Sequence, residues 1–449
     1  MKKGLFGLLA LLVVMTLGAA NAQDMTSYEG LDPSGETVTF WHQHSGDRED
    51  ALKEIIADFN ASNEYGITVE AEFQGGYGDI FQKMLPLLGT EDAPSLVVAY
   101  QNQAATYQIQ DGMIDMASLV DSEEWGLADD EKADFFSGFY NADIFPSFGG
   151  QRLGFPPNRS MEMMYYNADW LAELSEAGAI SFEGPPATPE QFQEAACAAT
   201  ANPFSGSSAD NSIGYELSVD ASRFASWTFA FGGDIFDYEA GQYTYDSPAA
   251  VEAMTFLQGL FDEGCASIVT ERYGDQTDFG QGVTLFTVGS SSGLPFYQSA
   301  VDEGAVFDWS VAAIPHTTDE PVMNVYGASV SIPSGNSPEN ELATWLFIKH
   351  YTSPEVQAQW AQASNYFPVR ESVANGLGDY FESNPAYQVA FELLEYGQAE
   401  PPAPGYDFVR DLIEQEMAAI VDGADVAETL EFANAEANLL LEDQLADMQ

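Results

Sequence analysis

The stretch that most constrains this chain is Leu153–Asn167, which reads LGFPPNRSMEMMYYN. Gly154 and the pair Pro156–Pro157 stop any regular element and stiffen the backbone. Asn158, Arg159 and Ser160 follow, three polar side chains in a row with complementary donors and acceptors. Met161–Tyr166 is apolar and aromatic, the pattern of a buried strand. A rigid polar crossing that feeds a buried strand suits a hinge between two lobes, with its polar residues turned toward the gap. An ordinary loop before a core strand is the plainer alternative.

At 449 residues the chain exceeds one typical domain and suggests two, each with ample core. Met1–Ala22 has the make-up of a secretion signal: Lys2 and Lys3, the apolar run Leu5–Leu17, and the small-residue cleavage site Ala20-Asn21-Ala22. The run is short for a permanent span, and no cysteine near the cleavage site offers a lipid anchor. The expectation is an exported protein, periplasmic or secreted, with residues 23–36 as a flexible lead-in. The 71 acidic and 13 basic residues give a net charge of −58, which excludes nucleic acid and anionic lipid surfaces as partners. The acids are scattered rather than blocked, as on a solvated surface suited to high salt. Cys197 and Cys265 either form one disulfide, as export permits, or remain two buried thiols.

After the lead-in, Thr37–Trp41 and Ile67–Phe73 alternate as strands, Glu49–Asn60 has helical spacing, and Ser95–Tyr100 is a continuous apolar run. Strand–helix–strand–helix–strand with short links means right-handed crossovers and a mostly parallel α/β sheet. Ligands bind beyond the carboxyl ends of such strands, so Trp41–Ser45, Gln74–Tyr77 and Gln101–Gln103 are candidate contact tips. They combine aromatic faces with uncharged hydrogen-bonding groups, the chemistry that holds sugars. Thr188–Thr200, Ala221–Phe231 and Ser247–Gly264 read as helices of a second αβ lobe, capped at Thr188-Pro189 and Ser247-Pro248. Val283–Val288 and Tyr326–Ile332 read as strands at a second and a third lobe crossing. The expected division is 37–155 with 281–325 as the N-terminal lobe, and 156–280 with 326–449 as the C-terminal lobe.

Four landmarks in order carry a resemblance. Phe40-Trp41-His42 ends the first strand, Phe155–Asn167 forms the crossing, Gly327-Ala328-Ser329 resembles a GGAS return strand, and Asn365–Val369 resembles a G-Y-[LF]-P-[IV] turn. Together they resemble the extracellular solute-binding proteins of ABC importers, in the subgroup that binds sugars and glycerol 3-phosphate. The resemblance implies a two-lobed periplasmic-binding fold of type II-like topology, no catalysis and no cofactor. A monomer would trap a small solute between its lobes and deliver it to membrane permease subunits. It implies ligand contacts at Tyr77, Gln101, Ser160, Ser291 or Ser292, Gly327 and Tyr366. The residue chemistry adds Trp41, His42, Asn158, Arg159, Trp227 and Tyr406. Gln101 stands where glycerol-3-phosphate binders carry Glu, and Ala403–Tyr406 stands where they carry a ligand-facing Arg. Loss of that cation favours a neutral saccharide or polyol over a phosphate ester or diester. Arg159 and the amides after Gly289 remain as anion-binding candidates.

Two other chemistries deserve weighing. Gly289-Ser290-Ser291-Ser292-Gly293 matches a nucleophile elbow, so a secreted serine esterase is the alternative from another class, with only His316 and His350 following it. His42 and His44 lack a clear third partner for a metal. Arg370 is expected to tie the turn after Tyr366 to nearby carboxylates.

Overall fold

The computed structural model describes residues 27–209 and 211–446, so the segment read as a signal peptide lies outside the described residues. Two sheets organise the chain. The first contains β1 (Thr37–His42), β2 (Thr68–Phe73), β3 (Leu96–Ala99) and β10 (Ser329–Ser331), in the order β10-β3-β1-β2. β1 runs parallel to β2, in register from Thr37↔Thr68 to His42↔Phe73, and parallel to β3. The second sheet is mixed and has seven strands: β4 (Ser160–Asn167), β5 (Ile213–Leu217), β6 (Ala266–Ile268), β7 (Thr284–Ser290), β8 (Trp309–Ala312), β9 (Met323–Tyr326) and β11 (Gly397–Gln398). Their order is β6-β5-β7-β4-β9-β11, with β8 also on β4.

The local reasons are those the composition suggests. β3 is buried at every residue, as a central strand covered on both faces must be. The helix Pro189–Ala201 starts where Thr188 accepts the N–H of Gln191, and the helix Pro248–Asp262 where Ser247 accepts that of Ala250, each with proline in its first turn. In the second lobe Phe192 stacks on Phe286 at 4.7 Å and meets Trp227 edge-on at 5.6 Å. Cys197 and Cys265 are bonded to each other there, with Cα atoms 4.7 Å apart.

The pairing of strands corrects the expected division. β7 and β8, placed with the first lobe by their position in the chain, both pair with β4 in the second sheet. Val283–Val288 is therefore no crossing; the chain turns through Ser291–Gly293 into the helix Leu294–Glu303 and stays in the second lobe. β10, placed with the second lobe, pairs antiparallel with β3 in the first. The crossings are the stretch 154–159, where Phe155 bridges Val330 and Arg159 bridges Phe367, the short link between β9 and β10 at Gly327, and the return to the second lobe between the helices Pro354–Ser364 and Pro385–Glu392. The helices Pro338–Tyr351 and Pro354–Ser364 pack on the first lobe, while Tyr406–Val421 and Val426–Ala446 return to the second. The expected loose lead-in is also corrected: Tyr28 is buried, its hydroxyl bonds Glu341 at 2.6 Å, and its carbonyl accepts the Trp125 indole.

Candidate functional site

Two adjoining cavities of about 300 and 1020 Å3 lie between the lobes, and Tyr77 and Asp220 line both. The first lobe contributes strand tips. Gln43 and His44 follow β1, Gly75–Tyr77 follow β2, and Tyr100–Gln103 follow β3, all beyond the carboxyl ends of parallel strands. The Gln43 amide donates to the Tyr77 hydroxyl at 2.8 Å, and the Tyr77 and Tyr100 rings meet edge-on at 4.8 Å. His44 is held neutral, its pKa pushed well down first by burial and then by His42 and Arg48.

The second lobe contributes charge. Asp220 caps the helix Ala221–Ala230, and the first turn of that helix presents Arg223. Arg223 Nη1 lies 3.5 Å from Glu162, a wholly buried carboxylate on β4 that also accepts the Tyr326 hydroxyl. Burial pushes the Glu162 carboxyl up, with Arg223 and Tyr326 working against it. Arg410, on the helix Tyr406–Val421, reaches Glu400 at 2.8 Å and Asp220 at 3.1 Å. Burial opposes the Arg410 charge, but Glu400 and Asp220 outweigh it and push its pKa up. Burial likewise opposes the Asp220 charge, and Arg410 and Arg223 outweigh it and hold its pKa down.

The lobes touch across this cleft. Asp407 accepts from the side-chain amides of Asn102 and Gln103, and the Gly405 N–H donates to Thr106 Oγ1 at 2.9 Å. On the larger cavity Arg48 donates to the carbonyls of Ser292 and Ser364 and lies over the rings of Phe296 and Tyr366.

Of the candidate residues, Tyr77, Gln101, Ser292, Tyr366 and Tyr406 line the cavities. Gln101 is tethered, its amide donating to Asp143 and Ser329, and Tyr406 donates its hydroxyl to Glu400 at 2.7 Å. The remaining candidates sit elsewhere. Trp41 turns its indole to Glu72, and His42 is buried against Phe40 and Phe73. Asn158 accepts the Trp360 indole. Arg159 is 2% exposed and spent on Asp143, Ser329 and two backbone carbonyls, because buried Asp143 needs a cation. Ser160 bonds the Tyr326 carbonyl. Trp227 is wholly buried and donates to Tyr215. Gly327, at φ 154°, sits where an added Cβ would lie a tight 3.2 Å from Arg159 Cα.

The elbow reading fails on geometry. Ser291 is wholly buried, and its Oγ accepts the Met161 N–H. His316 bonds Thr318, and His350 lies near Asp58, so neither addresses Ser291. The cation thought missing near the Ala403–Tyr406 break is also present: Arg410 supplies it one helical turn later. Arg370 pairs with Asp134 at 3.4 Å and lies over the Phe135 ring.

The unforeseen residues are Arg48, Asp220, Glu400, Asp407 and Arg410. One signal pointed to the arginines. In a chain with only 13 lysines and arginines, four arginines (Arg48, Arg223, Arg272 and Arg410) line the cleft. No such signal marks the carboxylates among 71 acids.

Comparison with known proteins agrees with this architecture. The family described as bacterial extracellular solute-binding protein matches residues 54–389, well over half of the chain. The chain belongs to this family. Among curated relatives, the sn-glycerol-3-phosphate-binding periplasmic protein UgpB of Escherichia coli is 25% identical over 397 residues, covering 86% of this chain and 83% of its own. The GacH receptor of Streptomyces glaucescens, solved unliganded and with acarbose, superposes with a TM-score of 0.76 at 18% identity, over 91% of this chain and 99% of its own. UgpB of Mycobacterium tuberculosis, solved with glycerophosphocholine, gives 0.75 at 22% identity, over 92% and 100%. The fold of this solute-binding protein is thus that of the two-lobed binding proteins. Among its described residues no helix is long and apolar enough to cross a membrane.

Proposed function

We propose that this chain is the exported substrate-binding component of an ABC importer. As a monomer it captures a neutral saccharide or sugar-like polyol between its lobes and delivers it to a membrane permease. The observation that carries this reading is the smaller cavity. Tyrosine faces and the uncharged amides of Gln101–Gln103 meet there a guanidinium already satisfied by Glu400 and Asp220. Hydroxyl groups can be exchanged for water at such a surface without breaking an ion pair. Ligand binding favours the closed form by its differential affinity for the two states.

A thermal-shift screen of the mature protein in high salt tests this. A ligand that binds only the folded state, present at a hundredfold its Kd, adds about 2.7 kcal/mol. A midpoint rise with a neutral saccharide, lost in Tyr77→Ala, supports the reading. A rise with phosphate esters alone overturns it. One observation favours that second reading: Arg48, on the larger cavity, bonds backbone carbonyls and has no carboxylate within salt-bridge distance among the described residues. A phosphate ester there would lose affinity in Arg48→Gln.

A further inference from the structure

We propose that Glu400 is a built-in anion that occupies Arg410 and makes the cleft select against anionic ligands. The inference rests on the reading of this cleft as the ligand site. A guanidinium takes carboxylate and phosphate oxygens in the same fork geometry. In this cleft both terminal nitrogens of the fork are already engaged. Arg410 Nη1 meets Glu400 Oε2 at 2.8 Å and Ser222 Oγ at 2.9 Å, and Nη2 meets Asp220 Oδ1 at 3.1 Å. Glu400 is itself fixed. Its Oε2 also accepts the Tyr406 hydroxyl at 2.7 Å, and its Oε1 accepts the Asn324 amide at 2.9 Å.

Asn324 is wholly buried on β9, and Tyr406 opens the helix that carries Arg410, so Glu400 is clamped from two elements. Its side chain is 10% exposed, against 25% for Arg410. Glu400 lies between Ala399 and Pro401, and all three line the smaller cavity. An anionic ligand group seeking Arg410 must therefore displace a carboxylate that has no second cation within salt-bridge distance among the described residues. The displaced Glu400 would remain beside the incoming charge, in a cavity that also holds Asp220 and Asp407. A neutral hydroxyl meets no such competition. Arg48 on the larger cavity makes the contrast, because carbonyls rather than carboxylates hold it.

The test is calorimetric titration of the full mature chain with glycerol 3-phosphate as probe. Glu400→Gln removes the competing charge and keeps an oxygen for Tyr406. It should bind the probe at least about tenfold more tightly than the unmodified protein. The gain should disappear in Glu400→Gln/Arg410→Gln and shrink with rising salt. Asp220→Asn, which keeps the cap on Ser222, frees the other arm of the guanidinium and should shift affinity the same way.

If Glu400→Gln does not fold, Asp220→Asn decides. Should neither fold, the unmodified chain decides: glycerol 3-phosphate bound as tightly as its best saccharide overturns the proposal, and at least about tenfold weaker binding supports it. Folded variants without gain also overturn it, as does a gain that survives loss of Arg410. Saccharide binding by the unmodified chain alongside gainless variants would sink this inference alone. Absence of saccharide binding with a phosphate gain in Glu400→Gln would sink only the saccharide reading.

Discussion

The two lobes furnish the cleft in different ways. The first lobe delivers Gln43, Tyr77 and Gln101–Gln103 from three successive strand tips, each fixed by the strand and helix beside it in sequence. The second delivers Asp220, Arg223, Glu400 and Arg410 from segments nearly two hundred residues apart, brought together only when its seven-stranded sheet closes. The strand tips are local and uncharged, whereas the second lobe's residues are long-range and ionic. Cross-links matter most where chain connectivity does least, so perturbation should strike the second lobe harder.

The disulfide offers the largest effect. It closes a separation of 68 residues inside the second lobe. Replacing Cys197 and Cys265 by alanine should cost about 4 kcal/mol in urea unfolding, on the loop-entropy argument. Hydrogen exchange should show the second sheet opening while β1–β3 stay protected. Loss of protection in both lobes alike would erase the distinction.

Next comes Arg410→Ala, which strands Glu400 without its cation and leaves Asp220 only Arg223, 3.7 Å away. A loss of about 3 kcal/mol is expected, as for breaking a buried ion pair. The matched change Arg48→Ala removes a cation bound to carbonyls and should cost about 1 kcal/mol. Equal losses in urea titrations would show that the network carries no special weight.

The same contrast explains what the sequence disclosed. β1–β3 and their helices were legible because alternation and short links determine a parallel unit locally, and their tips do line the cleft. The lobe membership of β7, β8 and β10 was not legible, because pairing with β4 or β3 leaves no mark in their own residues. Arg159 misled for the same reason: its partner Asp143 lies on a loop that nothing in the crossing announces. The cysteine pairing is not legible in the sequence either, because it depends on the fold bringing the helix that carries Cys197 beside Cys265.

Gly327 tests the joint between the lobes. Its φ of 154° and the close approach of Arg159 Cα make an added Cβ unwelcome. Gly327→Ala should cost about 2 kcal/mol as backbone strain. It should also shift the balance of open and closed forms, read as a change in radius of gyration on adding ligand. An unchanged radius and midpoint would remove Gly327 from the hinge.

The smallest effect expected is a pH slope whose sign differs between the lobes. In the second, Glu216 on β5 is raised from 4.5 to about 8, first by burial and then by Asp278 and Asp275 on the facing helix. The folded chain keeps this proton after the unfolded chain has released it. The stability it provides is therefore present below pH 4.5 and drains as pH climbs through about 8. In the first lobe, burial holds His42 and His44 below 6.5, so they favour the fold above that pH and oppose it as pH falls. Glu216→Gln should flatten the decline in Tm between pH 4.5 and about 8. His44→Gln should flatten the acid limb only. A single variant that altered both limbs would mean that the lobes unfold as one unit, their titrations inseparable.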